Sequence, residues 1–122
     1  MTVLVEPIGA GTIVSYFIGH PDKALRAMSE VDAPNLKMLF DAFHASNSDV
    51  DPSAFVQKNR DRIGHVHIAN SPGRHEPGTG TIDYFAVFEA LRNSDYTGAV
   101  GLEYIPKSET LSGLEWRRAL GR

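Results

Sequence analysis

Apolar residues gather along the chain into four short runs, and between the runs the apolar positions change to helical spacing. The runs are TVLVEPI (2–8), NLKMLFDAF (35–43), GHVHIAN (64–70) and AVGLEYI (99–105). Each has the length of a strand. In HPDKALRAMSEV (20–31), Ala24, Leu25, Met28 and Val31 fall on one helix face, and His20 reads as a cap-region residue. DPSAFVQKNRDRI (51–63) opens with Asp51 as an N-cap and Pro52 at the first helical position. DYFAVFEALRNSDY (83–96) places Phe85, Phe88 and Leu91 on one stripe with Val87 alongside. SGLEWRRALGR (112–122) reads as a last helix with Ser112 as its cap and basic residues late, where the helix dipole favours them.

The predicted order is β-α four times over. Strands separated by helices pair in parallel through right-handed crossovers, so the fold class is α/β. Four βα units are half of the eight that close a TIM (β/α)8 barrel. Residues 1–122 then form one half-barrel domain, corresponding to strands five to eight and the helices that follow them. An open four-stranded sheet with helices on one face leaves its other face and two edges uncovered. The chain therefore pairs with another half, belongs to a longer protein, or rearranges into a smaller doubly wound sheet.

Composition narrows the function classes. Of 122 residues, 42% are hydrophobic and 22% charged, as in a soluble globular protein. No stretch approaches the roughly 20 apolar residues of a membrane span, and MTVLVEPIG lacks the features of a secretory signal. A net charge of −3 with no basic stripe argues against nucleic-acid binding, which depends on neutralising phosphates. Cysteine is absent, which rules out disulfides and thiolate chemistry and fits a reducing cytosol. The expected partner is a small molecule.

Each apolar run carries one polar residue near its C-terminal end: Glu6, Asp41, His67 and Glu103. In parallel α/β folds, sites assemble at that end of the strands. A carboxylate among valines and leucines neutralises unless it is paired or metal-bound. Any one of the four is more readily explained as a cap, a salt bridge or a buried hydrogen-bonder. Four on successive strands point instead to a divalent metal site, and the dominance of oxygen donors favours Mg²⁺ or Mn²⁺. His65 faces the same way as His67 and is read as a buried hydrogen-bonder one layer deeper. His44 either leans over the site as a support or substrate contact, or sits exposed on a loop. Arg74, in the loop NSPGRHEPGTG, either clamps a substrate carboxylate or pairs with Glu76.

The segments VEP, DAFHA, IGHVHIANSPGRHEPGTG and VGLEY resemble, in order and spacing, the C-terminal half of the hydroxypyruvate isomerase family. That family belongs to the xylose isomerase-like TIM barrels. The resemblance runs from about residue 3 to 118. It implies a metal site of Glu6, Asp41, His67 and Glu103, with Glu6 and Glu103 as the acid/base pair and His44 and Arg74 contacting substrate. It also implies isomerisation of hydroxypyruvate to tartronate semialdehyde through a cis-enediolate. Isomerisation of a 2-oxo-tetronate or 3-epimerisation of a ketose on the same site are the alternatives within the superfamily. The rival from another class is an inactive fragment or interaction module. Two departures stand out: close relatives often carry Gln where this chain has His67, and EPIG replaces the more frequent EPIN. The resemblance lacks strands one to four, although all four implied ligands lie in the half present.

Overall fold

Four parallel strands form one sheet in the order β1-β2-β3-β4. The structure is a computed structural model and describes residues 1–9 and 12–120. β1 spans Val3–Val5, β2 Leu36–Asp41, β3 Ile63–Ile68 and β4 Val100–Leu102. The helices are α1 (Pro21–Val31), α2 (Ala42–Ser46), α3 (Pro52–Asn59), α4 (Tyr84–Asn93) and α5 (Trp116–Leu120). Sequential strand order is that of half a barrel. A doubly wound sheet would reverse its order at a switch point, so the rearranged alternative does not occur.

Alternation decides which side of the sheet is covered. Met38 and Phe40 of β2, with Val66 and Ile68 of β3, are buried and pack with Ala24 and Met28 of α1, Phe55 and Val56 of α3, and Val87 and Leu91 of α4. The Phe40 and Phe55 rings stack with centroids 4.8 Å apart. The intervening residues Lys37, Leu39, His65 and His67 belong to the opposite face and are only half-buried. The edge strands expose Val3 and Leu4 on β1 and Leu102 on β4, with Ile105 just beyond. The uncovered face and edges foreseen from the sequence are therefore present.

Element ends differ from the hydrophobic runs for local reasons. β1 stops before Glu6 and Pro7, where proline has no N–H for the ladder. Asp41 closes β2 and at once caps α2, so Ala42 and Phe43 are helical rather than extended. The run 51–63 divides into α3, a 3₁₀ turn at Arg60–Arg62 and the start of β3 at Ile63. Ser112 does not cap α5. It opens a separate 3₁₀ turn (Ser112–Leu114) and donates its hydroxyl to Glu109 O. Residues 121 and 122 of the predicted last helix lie outside the described residues. Phe85 and Val31 are corrected as well: both are exposed, because the buried face of α4 runs through Tyr84, Val87, Ala90 and Leu91, and that of α1 through Ala24 and Met28.

The caps follow the sequence closely. His20 Nδ1 accepts from Asp22 N at the start of α1. Asp51 Oδ1 accepts from Ala54 N at 2.8 Å and from Ser53 Oγ at 2.6 Å, with Pro52 at the first helical position. The Ser53 hydroxyl and then the Ala54 N–H hold the Asp51 carboxyl below its usual value. Asp51→Ala should lower stability by about 1 kcal/mol in urea unfolding at pH 7. A depressed carboxylate stabilises the fold above its unfolded pKa and loses that contribution as pH falls through the folded value. The gap between variant and parent should therefore close in acid below the ordinary Asp range; an equal gap at both pH values would remove Asp51 as a charged cap.

Candidate functional site

The C-terminal ends of the strands deliver the four predicted residues to one place. Glu6 follows β1, Asp41 ends β2, His67 is on β3, and Glu103 follows β4. Register sets the middle of the group: Asp41 is paired with His67 across β2 and β3, and His67 with Gly101 across β3 and β4. Glu103 N donates to Ile68 O at 3.1 Å, extending the ladder one step past β4. One donor atom from each of Glu6, Asp41, His67 and Glu103 lies within 4.8 Å of all the others. In a flat sheet, strands β1 and β4 would stand roughly 14 Å apart at three strand spacings. Convergence of residues from both edges needs the sheet to curve with these side chains on its concave side.

Each neighbour shapes the group. Arg74 Nη2 lies 2.8 Å from Glu103 Oε2 and 3.7 Å from Asp41 Oδ2. His67 Nδ1 stands 3.1 Å from the same Glu103 oxygen. The Arg74 guanidinium sits over the Phe43 ring at 5.2 Å. Gly101 is required here: a Cβ on it would come within 2.5 Å of His67 Cδ2. Asp41 Oδ1 accepts from Phe43 N at 2.7 Å as the cap of α2. Asp41 Oδ2 is buried and has no hydrogen-bond partner among the described residues.

Three carboxylates face one guanidinium, and their proton affinities diverge. Burial pushes the Asp41 carboxyl up to about 7; the neighbouring Glu103 acts in the same direction, against the Phe43 N–H and Arg74. Burial would also raise Glu103, but Asp41, Arg74 and His67 together pull it below its usual value. Burial and then the Glu103 charge raise Glu6. Burial, followed by Arg74, lowers His44 to about 4, so it is neutral near pH 7. A buried carboxylate oxygen without a donor is unfavourable unless a cation meets it. Three carboxylates and one imidazole are a donor set that suits a hard divalent ion, so the residues fit such a group.

The remaining sequence expectations divide. His44 is buried in α2 with Nε2 3.8 Å from Asp41 Oδ2, on the supporting side of its two readings rather than the exposed one. Arg74 pairs with Glu103 and does not pair with Glu76. Glu76 instead accepts from Lys107 N. His65 is corrected: it is half-buried with no side-chain hydrogen bond among the described residues, its ring edge-on to His67 at 4.9 Å. It lies on the face opposite the packed helices. Sequence reasoning missed Phe43 beneath Arg74 and Gly101 beside His67. Phe43 sits inside DAFHA and Gly101 inside VGLEY, so their places in the motifs were the available signals.

The xylose isomerase-like TIM barrel family model matches residues 1–120. Hydroxypyruvate isomerase of Escherichia coli is 38% identical over 114 residues, which cover 93% of this chain and 44% of that protein. 2-Oxo-tetronate isomerase of Cupriavidus necator is 37% identical over 100% of this chain and 47% of its own length. Among solved structures, the AP endonuclease, family 2, from Brucella melitensis superposes with a TM-score of 0.92 and 38% identity over 98% of this chain and 46% of that one. The E. coli 3-keto-D-glucoside 4-epimerase gives a TM-score of 0.84 and 31% identity, over 97% and 46%. The chain thus spans about half the length of the curated relatives it matches. Among the described residues, no helix is long and apolar enough to cross a membrane.

Proposed function

The chain belongs to the xylose isomerase-like TIM barrel family, and from that premise we propose that it is the site-bearing half of a metal-dependent isomerase acting on a small hydroxy-carbonyl acid. The reaction is hydroxypyruvate to tartronate semialdehyde. The observation that carries this reading is the convergence of Glu6, Asp41, His67 and Glu103 within 4.8 Å from four successive strands. Glu6, Asp41, His67 and Glu103 would hold the ion, Mg²⁺ or Mn²⁺ by their oxygen-rich donor set. When bound, such an ion supplies Lewis acidity to the carbonyl and hydroxyl oxygens of a substrate.

The chain's own groups account for the proton movements. An aldose–ketose shift takes a proton from one carbon and returns one to its neighbour. Glu6 and Glu103 approach the same space from opposite edges of the sheet, so one carboxylate takes the proton and the other directs its return. Arg74 offers the substrate carboxylate a guanidinium, and Phe43 fixes the plane of that guanidinium. His44, buried and neutral, stands beside Asp41 and contacts the substrate from α2. The cytosol is the compartment we assign, on the cysteine-free composition.

The half-open sheet adds a partner to this reading. Val3, Leu4, Leu102 and Ile105 expose apolar surface along both edges. A second four-stranded βα unit closes them, as the rest of a longer chain or as a second copy. A close alternative rests on the 37% identity to a 2-oxo-tetronate isomerase across the whole chain: the same chemistry on a substrate one carbon longer. Ketose 3-epimerisation on the same two glutamates is a further alternative, favoured less directly by the likeness to L-ribulose 3-epimerase at 25% identity.

Metal content and turnover test the proposal together. After dialysis against Mn²⁺ and then buffer, inductively coupled plasma analysis should find about one ion per site. Proton NMR in D₂O should show tartronate semialdehyde forming from hydroxypyruvate, with solvent deuterium entering the product. Faster turnover of 2-oxo-tetronate would transfer the assignment to the alternative. A chain that binds no divalent ion and turns over none of the substrates would be an inactive half-barrel.

A further inference from the structure

Glu76 is buried with 5% exposure, yet no ion pair among the described residues includes it. Both its oxygens accept from one backbone donor, Lys107 N, at 2.9 and 3.2 Å. Gly113 keeps room for the carboxylate, since a Cβ there would stand 2.5 Å from Glu76 Oε1. A buried carboxylate held, among the described residues, only by a main-chain N–H is a poor way to fill space. Its contacts have a pattern: they join the loop after β3 to the segment after β4.

Two further bonds continue that seam toward the site. Ile105 N donates to Arg74 O at 2.8 Å, and His75 Nδ1 lies 2.8 Å from Ile105 O. From its other side the loop is tied by Asn70 N donating to His75 O at 2.8 Å. Between these ties Arg74 holds φ at 57°, a left-handed conformation that a side chain with a Cβ seldom adopts unless its surroundings impose it. From that backbone position the guanidinium reaches Glu103 and lies over Phe43.

We propose that Glu76 is a positioning residue: by anchoring Lys107 and, through it, Ile105, it fixes Arg74 and so sets the site's selectivity for substrates that carry a carboxylate. This rests on the proposed function for the role of Arg74 toward substrate. The structural half, that Glu76 orders Arg74, stands on the contacts alone.

Oxalate serves as the carboxylate probe, titrated into the Mn²⁺-loaded full chain and followed by water-proton relaxation. Glu76→Met keeps the side-chain length and removes both acceptor oxygens, and Lys107→Pro removes the donated N–H at an exposed position while fixing φ there. Either should weaken oxalate about tenfold while Mn²⁺ affinity stays within about twofold, a charged hydrogen bond's worth lost at one point. In an Arg74→Met background neither should weaken oxalate further, because a contribution made through Arg74 cannot be lost twice. Unchanged oxalate binding, an equal loss of Mn²⁺, or a full further loss in the Arg74→Met background would each overturn the proposal. If the parent chain binds no Mn²⁺, the proposed function fails. The positioning claim is then read from the Arg74 Nε–H signal in ¹⁵N NMR: broadening in both variants supports it, and an unaltered signal refutes it.

Discussion

Glu103→Gln should lower kcat by about 10²–10⁴-fold in the metal-loaded enzyme assembled into a complete barrel. The amide retains the size and one acceptor oxygen of the carboxylate but cannot take a proton. Folding should survive, because the Glu103 side chain is 46% exposed and its pairing with Arg74 is a partly solvated one. Such pairs contribute at most about 1 kcal/mol. Circular dichroism and thermal melting of the variant should therefore match the parent while hydroxypyruvate turnover collapses. On the proposed function the two act in sequence on neighbouring carbons, so the same substitution at Glu6 should be comparably severe. A drop of less than about tenfold at Glu103 would remove it from proton transfer and leave it a ligand only.

Those four residues were legible in the sequence because strand ends in a parallel sheet are a geometric commitment. A polar residue closing each of four apolar runs had one place to go once the runs were strands. The same alternation that buries Met38, Phe40, Val66 and Ile68 put Asp41 and His67 on the other side. Helix caps were legible for the same local reason, as at Asp51 with Pro52. What escaped was set by contacts distant in sequence. His65 reads as buried in a closed barrel, but here it is only half-buried, on the face opposite the packed helices. Phe85 and Val31 fit helical stripes, yet the actual contact line on each helix lies to one side of them. The seam from Glu76 to Lys107 joins residues 31 apart, and nothing in GRHEPGTG says which backbone N–H its glutamate will meet. Short-range rules gave Arg74 two partners to choose from, and long-range packing assigned it to Glu103.

Asp41→Asn should make the metal-free chain more stable and at the same time destroy its hold on a divalent ion. Asp41 is 2% exposed, and Oδ2 has no donor among the described residues. Asparagine retains an oxygen for Phe43 N and replaces the orphaned oxygen with an amide that can donate toward Glu103. The melting temperature in a chelator at pH 8 should rise by about 3–6 °C, the equivalent of roughly 1 kcal/mol in a domain of this size. The size of this gain depends on pH. The folded pKa of Asp41 lies at about 7, above its unfolded value, so the penalty of the buried charge operates fully only above that point. At pH 5 the parent's Asp41 is protonated when folded, and the advantage of the amide should shrink. Saturating Mn²⁺ should invert the order, because an ion that binds only the native state stabilises it by mass action. Even a residue that only supports a ligand is worth 10–100-fold in metal affinity, so the loss of a ligand should be at least about 100-fold. The parent should therefore melt below the variant in chelator and above it in Mn²⁺. Melting curves that keep one order under both conditions would show that Asp41 is buried for some purpose other than an ion.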